Sequence, residues 1–179
     1  AAADGVEFPI SVTIEIAEKG GYDDTYAIYD LVRSDKYEDY EELLNEREFA
    51  NYRMITTTGM GENKLFRSST PIEPGMGRNL YADKAAAEDQ IHSFVNMADT
   101  AEDAAKYPDF ADSYYHTQNI FYLSMGMDFT SELNREGLVK LMNFLANAET
   151  PVLIHGIHGQ DRTGVVCALL EGLMGAGLD

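Results

Sequence analysis

A single cysteine in 179 residues, Cys167, excludes an internal disulfide, so bridges say nothing about the redox compartment. Cationic side chains are scarce: 13 Lys and Arg face 31 Asp and Glu, a formal net charge of −18. Nucleic acid and anionic membrane surfaces are bound through basic patches, so neither is an expected partner. The same imbalance disfavours a densely phosphorylated substrate. No apolar stretch is long enough to span a bilayer, and no intact signal peptide is present. No cluster of His, Asp and Glu has metal-ligand spacing, so neither a metal nor another cofactor is expected. Internal repeats and low-complexity linkers are absent too. With 45% hydrophobic residues the chain suits one domain over residues 1–179.

What is present alternates between strand-like and helix-like stretches. Residues 6–16 put Ile10, Val12, Ile14 and Ile16 at alternate positions, the pattern of a half-exposed strand, ended by Lys19-Gly20-Gly21. Residues 22–31 are aromatic-rich and fit either strand or helix. Within the acid-rich residues 38–52, Leu43, Leu44 and Phe49 recur at helical spacing, which predicts a surface helix with a solvated acidic face. A strand follows at 52–57, closed by the glycines of 58–61, and another at 65–70 ends at Pro71. Residues 79–90 read as a helix and 91–97 as a buried strand. Asp99 is expected to cap a helix over 100–107, the alternative being a place facing a site. Residues 111–118 have the polar and aromatic character of a loop over a pocket, and 119–123 that of a strand. A loop over 124–130 then leads into a helix over 131–148, striped by Leu138, Leu141, Met142 and Leu145. Strands alternating with helices predict an α/β fold, three layers with a mainly parallel central sheet flanked by helices.

The stretch from Pro151 to Met174 organises the rest. Val152, Leu153 and Ile154 make the short apolar run of a strand buried on both faces. A polar, glycine-containing loop follows from His155 to Arg162, and from Thr163 the residues Val166, Leu169, Leu170 and Leu173 recur at helical spacing. Strand, tight loop and helix in that order aim backbone N–H groups and the positive end of a helix dipole into the loop, an anion cradle. Arg162, at the start of the helix, can grip two oxygens of a phosphate with its planar fork.

This stretch resembles the phosphate-binding loop of the cysteine-dependent, tyrosine-type phosphatases, whose signature is His-Cys-x5-Arg-Ser/Thr. His155, the residues from Ile157 to Asp161, Arg162 and Thr163 match it. The bacterial variant His-Cys-x-x-Gly-Lys-Asp-Arg-Thr-Gly fits best, through Gly159, Asp161, Arg162, Thr163 and Gly164. Two positions depart: Gly156 occupies the place of the nucleophilic cysteine, and Gln160 that of the lysine. The segment Leu65-Phe66-Arg67-Ser68 resembles the Tyr/Phe-Arg-Ser segment of the same family, which implies that Arg67 lies near the site; otherwise it is a surface arginine closing a carboxylate pair.

The resemblance implies a phosphomonoester hydrolase of the family's three-layer fold, acting through a phosphocysteine formed at position 156. Arg162 and the amides of Ile157, His158, Gly159, Gln160 and Asp161 would hold the equatorial oxygens. Thr163 would hydrogen-bond the sulfur, and His155 would orient the loop. The proton donor is Asp128, in the loop one helix upstream, or Asp161; the alternative for Asp161 is a structural acceptor pinning loop amides. His158 is a pocket residue or a plain polar loop residue. Cys167 is expected to be a buried apolar residue, not the nucleophile. With Gly156 in the chain, phosphate or sulfate should still bind while turnover is lost. Three readings stay open: an inactive substitution of an enzyme, a natural pseudophosphatase that binds phosphorylated ligands, or an α/β domain with a vestigial loop. The expected substrate is phosphotyrosine or another aryl phosphate, with phosphoinositides and inositol phosphates as alternatives. A secreted or surface bacterial location is expected, otherwise a cytoplasmic one; Ala1-Ala2-Ala3-Asp4-Gly5 reads as the remnant of a processed leader or a scar of expression. Relatives continue with further helices, so either the chain is truncated or cleaved here, or a second chain or dimer contact covers Leu169, Leu170 and Leu173, part of which otherwise lies open.

Overall fold

A computed structural model of the chain describes residues 18–25, 34–56 and 59–175. The strand expected at residues 6–16 lies outside them, as does most of 22–31. The chain divides into two compact units, Ala1–Val32 and Arg33–Asp179. In the first, a turn forms where the glycine pair was expected to end a strand. The Gly21 N–H donates to Glu18 O at 3.0 Å, and Gly20 takes φ 84°, open to a residue without Cβ.

The described residues of the second unit form five strands: β1 (Arg53–Ile55), β2 (Leu65–Ser68), β3 (Ser93–Asn96), β4 (Asn119–Tyr122) and β5 (Val152–His155). They lie in the order β1-β2-β5-β3-β4; β1 pairs antiparallel with β2, and every other pair is parallel. The α/β class and the mainly parallel sheet read from the sequence are thus found. Among the described residues, five α-helices accompany the strands: α1 (Glu46–Phe49), α2 (Asn79–Glu88), α3 (Ala101–Ala104), α4 (Glu132–Leu145) and α5 (Asp161–Leu173).

Side chains alternate across the sheet with the period of two that a pleated strand imposes. Leu153, Phe94 and Phe66 enter one core with Ala82, Ala85 and Ala86 of α2. Val152, Ile154, Val95 and Leu65 enter the other with Leu141 of α4 and Val166, Cys167 and Leu170 of α5. All four residues of β5 are buried, as a central parallel strand covered on both faces requires. The α4 stripe behaves as its spacing predicts: Leu141 is buried, and Leu138, Met142 and Leu145 pack beside it. On α5, Leu170 is buried while Leu169 and Leu173 are exposed. Among the described residues no helix is long and apolar enough to cross a membrane.

Four expectations are corrected. Residues 38–52 are not one helix but a 3-10 turn, Tyr37–Asp39, followed by α1. Asn45 interrupts them by capping α1: its side chain accepts from the Arg47 and Glu48 amides while Glu48 accepts from the Asn45 N–H. Tyr40, Phe49, Ala50 and Tyr52 are buried there, whereas Leu43 is exposed. Asp99 does not cap α3; Thr100 does, accepting from the Asp103 N–H at 3.1 Å, and Asp99 instead accepts from Asn96 Nδ2 and the Tyr107 hydroxyl. Residues 111–118 are no cover: two 3-10 turns bring Tyr115 to full burial against Phe94 and, edge to face at 5.4 Å, His155. Finally, α5 starts at Asp161, ahead of the first residue of its apolar pattern.

Candidate anion-binding site

The ends of β2, β5 and β3 are level, since Ser68 and Asn96 both stand opposite His155. The crevice beyond the carboxyl ends of parallel strands is where open α/β sheets bind ligands. There the chain leaves β5 and curls, from Gly156 to Thr163, into a recess of about 30 Å³ lined by those residues alone.

The direction of the peptide groups decides what such a recess can hold. Ile157 O accepts from the Thr70 N–H at 3.1 Å. His158 O and Gly159 O accept from Asn51 Nδ2 at 3.0 and 3.1 Å. Gly159 O and Gln160 O also accept from Arg67 Nη2 at 2.7 and 3.2 Å. Four successive carbonyls are therefore taken by donors outside the eight lining residues. In a trans peptide the N–H that follows points opposite to its carbonyl, so the amides of His158, Gly159, Gln160 and Asp161 point the other way. The free amides of the first turn of α5 join them. The whole forms a nest with positive potential.

Two features make that curl possible. Gly159 has φ 68°, and a Cβ on it would lie 2.0 Å from Ser68 O, so the loop rests directly on the end of β2. Asn51 holds φ 53°, which asparagine tolerates better than most residues, and its Oδ1 accepts from Arg53 Nη1 at 2.5 Å. Asn51 reaches the loop across 107 residues of sequence. Arg53 in turn is held below the usual arginine range by burial and by the Arg67 charge, a concentration of cations on an acidic chain.

Asn51→Gly removes the clamp without asking a new side chain to adopt that φ. Its expected cost is roughly 1–2 kcal/mol of stability, that of two hydrogen bonds, read from urea unfolding. A change below about 0.3 kcal/mol would mean that Asn51 does not hold the loop.

Arg162 reaches the neighbouring strand ends. Its Nη1 donates to Met97 O at 2.9 Å and Met125 O at 2.7 Å, which fixes the guanidinium plane. Nη1 has two N–H groups, both then engaged; Nε and Nη2 make no hydrogen bond with the described residues. That edge is the one that can take two oxygens of a tetrahedral anion.

Among the described residues, buried side-chain polar atoms without a partner are few, and they gather here: Arg67 Nε, both His155 ring nitrogens and Thr163 Oγ1. Thr163 is 1% exposed. The φ of Gly156 lies outside the left-handed region, and a Cβ built on it meets Thr163 Oγ1 at 3.4 Å. Nothing in the backbone therefore demands glycine at 156, and a side chain there would face an unpaired hydroxyl.

The titrating groups sort themselves by surroundings. Burial pushes the His155 imidazole down to about 3; the Gly156 backbone opposes this but makes no hydrogen bond of good geometry with it. His155 is neutral near pH 7, suited to orienting the loop and not to carrying charge. Burial pushes the Cys167 thiol up to about 11, so it stays protonated near pH 7. The Thr130 hydroxyl, at 2.6 Å, and the Thr130 amide hold the Asp128 carboxyl below its usual range, the opposite of what a proton donor needs. Asp161 is exposed on the lining of the recess and accepts no hydrogen bond from the described residues, so it does not pin loop amides. His158 is exposed as well.

His155 makes stability depend on pH. Unfolded, it would titrate near its ordinary value of 6.5, but folded only near 3. Between those values the unfolded chain binds the extra proton, so stability is full above pH 6.5 and falls as pH drops, by about 1.4 kcal/mol per unit. The other histidines, His92, His116 and His158, are exposed. Urea unfolding between pH 7 and 5.5 should show this loss, and His155→Asn should flatten it. An equal slope in that variant would assign the effect elsewhere.

Arg67 and the motif residues could be picked out in sequence, whereas Asn51, Arg53 and the backbone of Ser68, Ser69 and Thr70 could not. An asparagine ahead of a short strand carries no sign of a partner so far along the chain. Among the described residues no group of His, Cys, Asp and Glu could hold a metal ion. No curated protein matches the chain. Residues 73–179 match the sequence model of the tyrosine phosphatase family. That match spans more than half of the sequence and includes the whole recess, so the chain belongs to the tyrosine phosphatase family.

Proposed function

We propose that this is a phosphomonoester hydrolase domain of the phosphocysteine type whose oxyanion cradle is intact and whose attacking group is missing, Gly156 standing at the nucleophile position. The observation that carries the reading is the outward turn of the carbonyls from Ile157 to Gln160, which leaves amides and the free edge of Arg162 for an anion. The unpaired Thr163 hydroxyl supports it further, since it faces the place of a side chain at 156. In such a site the three equatorial oxygens lie on the amides and the guanidinium, which stabilise the charge spread over them. Asp161 is the better placed proton donor, because it lines the recess while Asp128 is turned into its own loop. Without the thiolate no phosphocysteine forms, and the domain holds a phosphorylated ligand, phosphotyrosine or another aryl phosphate, without enzymic turnover. Whether codon 156 encodes glycine or cysteine in the gene separates a natural pseudophosphatase from a substituted enzyme.

Titration calorimetry with inorganic phosphate and sulfate tests the reading. Binding at about millimolar or tighter, roughly 4 kcal/mol, is expected. Arg162→Lys keeps the charge but loses the planar edge, and should weaken binding about tenfold or more. No binding by the unaltered chain, or equal binding by Arg162→Lys, would overturn it.

A further inference from the structure

We propose that the free edge of β4 is a docking site for an extended peptide segment of another protein, one that carries an apolar residue and, two positions later, a carboxylate. The inference does not rest on the reading of the recess. In the sheet, β4 has only β3 beside it. The Asn119 N–H donates to His92 O at 3.2 Å and the Leu123 N–H to Asn96 O at 2.8 Å, with Asn119 standing opposite Ser93. In a ladder, alternate residues bond to the same neighbour. Asn119, Phe121 and Leu123 therefore serve β3, and the N–H and C=O groups of Ile120 and Tyr122 point away from it. No described residue outside the sheet bonds to them. Proteins commonly protect such an edge with charge or proline. At the other edge β1 carries the exposed Arg53, whereas the run from Asn119 to Met125 has neither.

The groove beside this edge selects the side chains. Asn134 Nδ2 donates to Gly126 O at 3.4 Å, a Cβ on Gly137 would lie 3.0 Å from Leu123 Cδ1, and Phe144 stacks on Phe121 at 5.0 Å. Thus α4 runs antiparallel to β4. Between them lies a groove of about 220 Å³, with Phe121 and Leu123 on one wall and Leu133, Gly137 and Lys140 on the other. Leu133, at the end nearer Gly126, is 78% exposed. Lys140, a helical turn beyond Gly137, is the one charged residue on the lining. It makes no ion pair with the described residues, in spite of the chain's excess of carboxylates. A strand added antiparallel to β4 meets the apolar end first and the cation second. Its residues opposite Leu123 and Phe121 share their face of the sheet and lie two positions apart. The first places an apolar side chain beside Leu133, and the second a carboxylate within reach of Lys140. Its residues opposite Tyr122 and Ile120 each exchange a pair of backbone hydrogen bonds. A second copy of the chain is the disfavoured occupant, because it brings a net charge of −18 against the same charge.

The probe is acetyl-Thr-Leu-Thr-Glu-Thr-amide, titrated into the unaltered chain and followed by NMR. Saturable binding at about millimolar or tighter is expected, with exchange of the Ile120 and Tyr122 amides slowed about tenfold or more at saturation. The same peptide N-methylated at its last two threonines keeps every side chain but loses the donors to Tyr122 O and Ile120 O, and should bind at least about tenfold more weakly. Lys140→Glu, an exposed change, should weaken the probe about threefold and prefer the peptide with lysine in place of glutamate. Absence of saturable binding overturns the inference, as does equal binding of the N-methylated peptide or an unchanged preference in Lys140→Glu. Slowed exchange of the two amides as the chain alone is concentrated, with dimers in sedimentation, overturns it as well, since the occupant is then a second copy.

Discussion

Gly156→Cys should raise kcat for p-nitrophenyl phosphate by about 10³-fold or more, equivalent to roughly 4 kcal/mol of barrier. The structure gives three reasons for so large a gain from one side chain. The backbone at 156 is not in a conformation reserved for glycine, and an added Cβ meets only Thr163 Oγ1, at 3.4 Å, so the loop need not rearrange. The introduced thiol would sit at the mouth of α5, where amides and dipole favour the thiolate and lower its pKa. The Thr163 hydroxyl would then gain the partner it lacks, and can support the sulfur as it leaves in the second step. Activity should therefore persist below the ordinary thiol range and fall only at the acid limb of the introduced group. Gly156→Ser, of nearly the same size but without an ionised nucleophile, should show less than about a hundredth of that gain. If the cysteine variant is as slow as the glycine form while still binding phosphate, the loop is a binding device and not catalytic architecture.

Much of this was legible because it is local. Burial of β5 follows from three consecutive apolar residues, and α4 from a stripe at helical spacing. The recess follows from the order of strand, glycine-containing loop and helix within about two dozen positions. What escaped depends on distant partners or on competition between local signals. Residues 38–52 carried a helical pattern, yet the Asn45 capping box restarted the helix and turned Tyr40 and Phe49 inward. Asp99 looked like a cap from its place before Thr100, but the threonine hydroxyl took that work and left the carboxylate to Asn96 and Tyr107. At the site, the eight lining residues were visible in sequence and the scaffold behind them was not. Asn51 and the end of β2 hold the loop by its carbonyls, and only the folded chain brings them there. The sequence marks Arg162 as a ligand grip; its second task, tying the loop to the chain just beyond β3 and β4, depends on the sheet order.

The two glycines of the loop differ in kind, and that difference supplies the second large effect. A methyl group at Gly159 would lie 2.0 Å from Ser68 O, 2.3 Å from the Ser68 carbonyl carbon and 2.7 Å from Ser69 N. All three are backbone atoms, and Ser69 is itself fixed, its N–H and hydroxyl both donating to Ala50 O at 2.9 and 2.7 Å. The φ of 68° adds a left-handed cost of about 1 kcal/mol for any other residue. Gly159→Ala must therefore lift the loop from β2. The bonds from Arg67 and Asn51 to Gly159 O and Gln160 O go with it, and the peptide planes lose their common orientation. A stability loss of roughly 2–4 kcal/mol is expected, together with a fall of about tenfold or more in phosphate affinity, since the amides no longer converge. Gly156→Ala, whose added methyl group meets no backbone, should cost less than about 1 kcal/mol by the same urea measurement. Similar losses in the two variants would mean that the loop is not seated on β2, and the inward direction of its amides would lose its cause.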